Sequence, residues 1–260
     1  MIHAKKSLGQ NFLIDKNIIN KILKLSKIEN RHIVEIGPGK GALTDYILKK
    51  KPKSVIIIEK DYKLSKILKE KYIKDKNIKI FNDDILKFNL EKVIKKNSII
   101  FGNLPYNISS QILIKLIKFN KWPPKFSDLI FMFQKELGDK IMGSFKSNSY
   151  GRLSIITNLR LKIMNKFLIS PNCFKPKPKV NSVVIHFRPK QMLFNINSLS
   201  NLERVTNLLF SKKRKMINKS LKKILSINQI DMIDQLNLNA RPSEIKPEIY
   251  YKITELFEKN

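Results

Sequence analysis

The 260-residue chain carries one cysteine, three histidines and only 21 acidic residues. A lone Cys173 excludes an intrachain disulfide and fits a reducing compartment. His3, His32 and His186 are too scattered for a zinc site, so no metal is expected. No apolar run approaches the roughly 20 residues that a bilayer-spanning helix needs. The N-terminal stretch also lacks the apolar centre of a secretion signal. These absences lead us to expect a soluble, cytoplasmic protein. The shortage of acid has the largest consequence, because 52 Lys and Arg leave a formal charge of +31. Such a charge suits a polyanion, since each neutralised phosphate releases counterions. Lys filling solvated surface accounts for part of the excess, and charge alone does not separate RNA from DNA or an anionic membrane.

What is present is enough apolar material for a core, 42% of the residues. Apolar runs at Ile33–Ile36, Val55–Ile58, Ile78–Phe81, Ile99–Phe101 and Leu129–Phe133 read as strands. Helical patterns follow three of them, at Ala42–Lys50, Tyr62–Lys71 and Ser109–Phe119. Fully apolar strands alternating with helices predict a parallel, doubly wound α/β sheet with its ligand edge at the strand ends. After Gly151 the rhythm changes. A helix at Arg152–Leu159 leads to two directly joined strands, Lys162–Leu168 and Ser182–Phe187, expected to close the sheet as an antiparallel pair. Beyond Asn195 only short helical patterns occur. The boundary is placed near Pro189–Asn197, giving residues 1–192 to the sheet domain and residues 193–260 to a small all-helical domain. With no heptad seam, a monomer is expected.

Polar residues stand at the ends of four successive strands. Gly37-Pro38-Gly39-Lys40-Gly41 is a strand–glycine turn–helix segment whose backbone can approach a ligand, although a plain turn has the same pattern. Its spacing is neither the dinucleotide fingerprint nor a Walker loop. Glu59, about twenty residues on, can accept both hydroxyls of a ribose; a solvated strand end is the alternative. Asp84 or Asp83 can receive an adenine amine or cap a turn. Asn103-Leu104-Pro105-Tyr106 combines an amide, a carbonyl held outward by the following proline and an aromatic ring. That set suits gripping the exocyclic amine of a flat base. Phe174 is a candidate for the base's second face, with core packing as its alternative. Lys212-Lys213-Arg214-Lys215, read on a helix around Phe210–Met216, is either a solvated face or a phosphate contact.

In order and spacing, several segments resemble the ribosomal RNA adenine dimethyltransferases. They are Leu8–Leu13, the glycine loop, Glu59, Asp84, Asn103–Tyr106, Gln134-Lys135-Glu136, Tyr150–Ser154, Phe174–Ser182 and Ala240-Arg241-Pro242. The likeness is greatest to the bacterial small-subunit branch, which dimethylates two adjacent adenosines; Leu104 favours that branch over the large-subunit enzymes, which usually carry Ile there. The resemblance implies a Rossmann-like methyltransferase sheet, S-adenosylmethionine as cofactor and small-subunit ribosomal RNA in an assembling subunit as partner. It further implies that Asn11 and Leu13 contact the cofactor, Gly37 its methionine part, Glu59 its ribose and Asp84 its adenine, with Asn103 at the junction with substrate. Asn181, where relatives commonly carry Asp, and a basic run poor in Arg are departures. Two other readings remain open at this stage: a non-catalytic RNA-binding or ribosome-assembly factor on the same fold, and, more distantly, a nicotinamide dehydrogenase.

Overall fold

The computed structural model describes residues 10–259; Leu8 and Gly9 of the first motif, and His3, lie outside them. A short strand β1 (Phe12–Leu13) precedes helix α1 (Lys16–Leu23), whose Asn17 and Ile18 amides donate to the Asp15 carboxylate. Then strands and helices alternate: β2 (His32–Ile36), α2 (Ala42–Lys49), β3 (Ser54–Glu59), α3 (Tyr62–Lys71), β4 (Ile78–Asn82), α4 (Leu90–Val93), β5 (Ser98–Asn103), α5 (Ser109–Ile117), β6 (Phe126–Gln134) and α6 (Lys135–Met142). Helix α7 (Arg152–Arg160) runs directly into β7 (Leu161–Ile169), followed by β8 (Phe174–Lys175) and β9 (Ser182–Pro189). Helices α8 (Leu199–Phe210), α9 (Asn218–Leu221), α10 (Ile227–Asp231) and α11 (Pro247–Phe257) complete the chain.

Seven strands form one sheet in the order β4-β3-β2-β5-β6-β9-β7. Strands β2 to β6 are parallel, and β9 runs antiparallel to β6 with β7 beyond it at the edge. The strand order reverses between β2 and β5, so the loops after β2 and β5 diverge and open a crevice between them. Runs such as Ile99-Ile100-Phe101 are buried throughout, because helices cover both faces of a parallel sheet. Beside the main sheet, β1 pairs antiparallel with β8, setting Leu13 opposite Phe174.

Two compact units emerge. The first comprises residues up to Gly138 together with Lys162–Pro189; the second comprises Asp139–Leu161 and the residues from Lys190 onward. The second unit therefore begins earlier in the chain than a single boundary at 192/193 would have it. Its interior is held by tyrosines whose hydroxyls reach backbone carbonyls: Tyr150 to Ile245 (2.8 Å), Tyr251 to Ile155 (2.8 Å) and Tyr250 to Pro242 (2.6 Å). Each buried phenol thus arrives with its donor satisfied.

Candidate active site

The cleft at the ends of the parallel strands is built on the glycine turn after β2. Gly37 and Gly39 have φ of +66° and +61°, a left-handed conformation that side chains resist. A Cβ at Gly39 would also lie 2.7 Å from the Phe12 ring, so the β1 segment rests directly on the turn. Glu59 closes it from β3: one carboxylate oxygen accepts the Gly39 N–H (3.2 Å), the other the Asp61 N–H (2.8 Å). At 6% exposure, burial raises its pKa, and those two amides offset the rise only in part. Each oxygen keeps a second lone pair for a ligand hydroxyl.

Beyond β4, Asp83 and Asp84 both line the cleft. Asp83 accepts the Asp84 amide (2.6 Å), while Asp84 accepts the Leu86 amide (2.9 Å) and pairs with Lys60 (2.8 Å). The Lys60 bond holds the Asp84 carboxyl below the usual carboxylate range. Both acids therefore shape the turn, and Asp84 also presents a fixed negative charge at the cleft.

At the end of β5, the Asn103 Nδ2 donates to the Asn11 carbonyl at 2.8 Å. This bond turns the amide so that its oxygen is left as an acceptor. The Leu104 carbonyl has no partner among the described residues, Leu104 itself being buried. The chain turns at once after it, with the Pro105 carbonyl taking the Ile108 N–H (3.1 Å). The Tyr106 hydroxyl meets the Ser182 Oγ at 2.7 Å. Asn11, Leu13, Gly37, Glu59, Asp84 and Asn103 through Tyr106 all line one cleft, as the strand-end positions suggested.

Two sequence expectations land elsewhere. Phe174 is 3% exposed and joins the apolar core behind Leu13, its partner in the short sheet. Lys212, Lys213, Arg214 and Lys215 do not continue a helix: α8 ends at Phe210, and the four cations occupy an exposed turn in the second unit, closed by the Lys215 N–H to the Lys212 carbonyl (2.8 Å).

Sequence reasoning assigned no role to Glu35. It is enclosed in β2, lines the cleft floor and accepts the Thr44 hydroxyl at 2.7 Å. Burial pushes its pKa up to about 7. An acid inside an otherwise apolar strand was the available signal.

Among the described residues no cluster of ligating side chains could hold a metal, and no helix is long and apolar enough to cross a membrane. The residues present fit a nucleoside bearing an amino-acid tail. Glu59 offers hydroxyl acceptors, Asp83 and Asp84 amine acceptors, Ile58, Ile85 and Ile112 apolar walls, and the Gly37 turn leaves room for close approach.

A model of the family described as ribosomal RNA adenine dimethylase matches residues 1–259. The chain is 43% identical over 262 residues to ribosomal RNA small subunit methyltransferase A of Pelagibacter ubique, covering 99% of this chain and 98% of that one. It is 39% identical to the Mycoplasma mobile protein of the same name, over 95% of both. Among solved structures, a dimethyladenosine transferase from Plasmodium falciparum superposes with a TM-score of 0.79 at 26% identity, covering 95% of this chain and 98% of that one. The 23S rRNA methyltransferase ErmE (TM-score 0.69, 24% identity, 95% of this chain and all of that one) shares the fold. The α/β sheet, its glycine turn and its Asn-Leu-Pro-Tyr corner thus sit in a sequence that belongs to the ribosomal RNA adenine dimethylase family.

Proposed function

We infer that this chain transfers methyl groups from S-adenosylmethionine to the N6 of two adjacent adenosines of small-subunit ribosomal RNA. The observation that carries this reading is the Asn103 amide, whose NH2 is committed to the Asn11 carbonyl so that its oxygen can accept. Bound in the cleft, the cofactor supplies a methyl already activated on a sulfonium, so the protein's task is alignment more than acid–base chemistry. Glu59 receives the ribose hydroxyls, Asp84 the cofactor adenine and the Gly37 turn the methionine part, while Asn11 and Leu13 cover it from the β1 side. The Asn103 Oδ1 and the Leu104 carbonyl accept the two hydrogens of the target amine. That draws the nitrogen toward tetrahedral geometry and aims its lone pair along the transfer direction. Pro105 keeps the Leu104 carbonyl extended, and Tyr106 stacks on the base, worth about 1–3 kcal/mol by comparison with single-strand binders. The base has to leave its stack to enter. After one transfer an N–H remains, which permits the second.

The second unit contributes phosphate contacts through Lys212, Lys213, Arg214 and Lys215, supported by their exposure and the +31 charge. We take the substrate to be RNA in an assembling subunit, with the chain acting as a cytoplasmic monomer. Mass spectrometry of undermethylated small-subunit RNA, incubated with the protein and isotopically labelled cofactor, tests the proposal. Label is expected in two adjacent dimethyladenosines; cofactor binding without any label in RNA would refute it.

A further inference from the structure

The 2.7 Å contact between the Tyr106 hydroxyl and the Ser182 Oγ takes no part in the transfer chemistry described above. Ser182 opens β9 and is fully enclosed at 0% exposure. Its backbone sits opposite Gln134, and the neighbouring Asn181 carbonyl accepts the Lys135 N–H at 2.9 Å. Ser182 is therefore as fixed as the sheet itself. Tyr106 is differently placed: it stands half-buried in the turn between β5 and α5, with its own carbonyl accepting the Ser109 hydroxyl at 3.2 Å. A ring on two rotatable bonds can swing across such a cleft unless its far end is tethered. Among the described residues, Ser182 is the one side chain bonded to that far end. Burial raises the Tyr106 pKa, so the phenol stays neutral and the tether is an ordinary hydroxyl pair.

We infer that Ser182 is a positioning residue, holding the Tyr106 ring at the angle at which it receives the target base. The inference deepens the functional reading above and rests on it. A fixed ring matters most in the second transfer, because a monomethylated amine offers one N–H to the acceptors and leans more on stacking for its alignment.

The test compares Ser182→Ala, Tyr106→Phe and the double variant in the full chain acting on small-subunit RNA. Single-turnover rate, the ratio of mono- to dimethyladenosine, cofactor Kd and melting temperature are measured together. Each single variant is expected to slow transfer about three- to tenfold, the size of one lost neutral hydrogen bond. The double variant is expected to be no slower than the slower single, because both remove the same bond. Monomethyl product accumulates, cofactor Kd is unchanged, and Ser182→Thr restores the product ratio. Losses that multiply in the double variant, or a defect confined to cofactor affinity, overturn the inference. If Ser182→Ala does not fold, Tyr106→Phe carries the test through its product ratio, and an unchanged ratio refutes the tether. A wild-type chain that leaves the RNA unmethylated overturns the functional reading and the inference with it; an active wild type with multiplying losses overturns the inference alone.

Discussion

The two ends of the central sheet treat buried carboxylates in opposite ways. At the starting ends of the strands, Asp128 in β6 accepts bonds from the His186 Nε2 (2.7 Å), the Arg188 Nε (2.9 Å) and the Ser127 hydroxyl (2.6 Å). Burial opposes its charge, yet these donors outweigh burial and hold the carboxyl far below the usual range. At the finishing ends, Glu59 and Glu35 are as enclosed but have fewer donors, and there burial wins, raising both. The difference separates scaffold from site. Where the protein answers its own acid in full, the group serves stability; where acceptors are left short of donors, a ligand can complete them.

The contrast breaks most visibly at the cleft. Asn103→Ala should slow methyl transfer by about a hundredfold or more, the usual cost of losing one preorganised polar group at a reacting centre. Cofactor affinity should change little, as read by calorimetry; near-normal turnover in that variant would remove Asn103 from the mechanism. A paired substitution then sets one end against the other. Asp128→Ala strands His186 and Arg188 without their acid and should cost roughly 3–5 kcal/mol of stability, with cofactor Kd preserved in the folded fraction. Glu59→Ala should do the reverse, weakening cofactor binding about 10- to 100-fold, as expected for charge-assisted hydrogen bonds. Denaturant titration and calorimetry on both variants would expose any mixing of the two roles.

The smallest effect concerns Glu35 and is read through pH. Its folded pKa of about 7 lies above the ordinary 4.5. The cost of burying its charge is therefore absent below the lower value, grows as pH rises between the two and is complete above the higher one. Glu35→Gln should gain stability mainly at the alkaline side, at most on the order of 3 kcal/mol. The melting-temperature gain over wild type should be larger at about pH 8 than at about pH 5; a pH-independent gain would mean that Glu35 stays ionised in the fold.

The parallel strands were legible because apolar runs such as Ile99–Phe101 have one use in an alternating chain, burial on both faces. Their order and the reversal beside β2 were not legible in the sequence, because strand neighbours are set by contacts far apart in the chain; the cleft lies where that reversal puts it. Strand-end residues were legible for the same reason: Gly37, Glu59, Asp84 and Asn103 each follow an unmistakable strand. The β1–β8 pair was not, since two-residue strands carry no period, and without it Phe174 stayed open between a base contact and the core packing that the structure shows. The turn at Lys212–Lys215 was misread as helix because apolar neighbours on both sides mimic a helical face.

Local pattern was enough to mark the parallel strands and the helices between them, the large positive charge, and the polar residues that reach the sheet's ligand edge. Those properties depend on side-chain chemistry within a few residues. Long-range packing added that Asn103 is oriented by Asn11, that Tyr106 is tethered to Ser182, that burial raises the Glu35 pKa and that residues 139–161 pack with the C-terminal helices. Each depends on groups far apart in the chain meeting in a low-dielectric interior, where a single donor more or less sets the orientation of an amide or the charge of an acid.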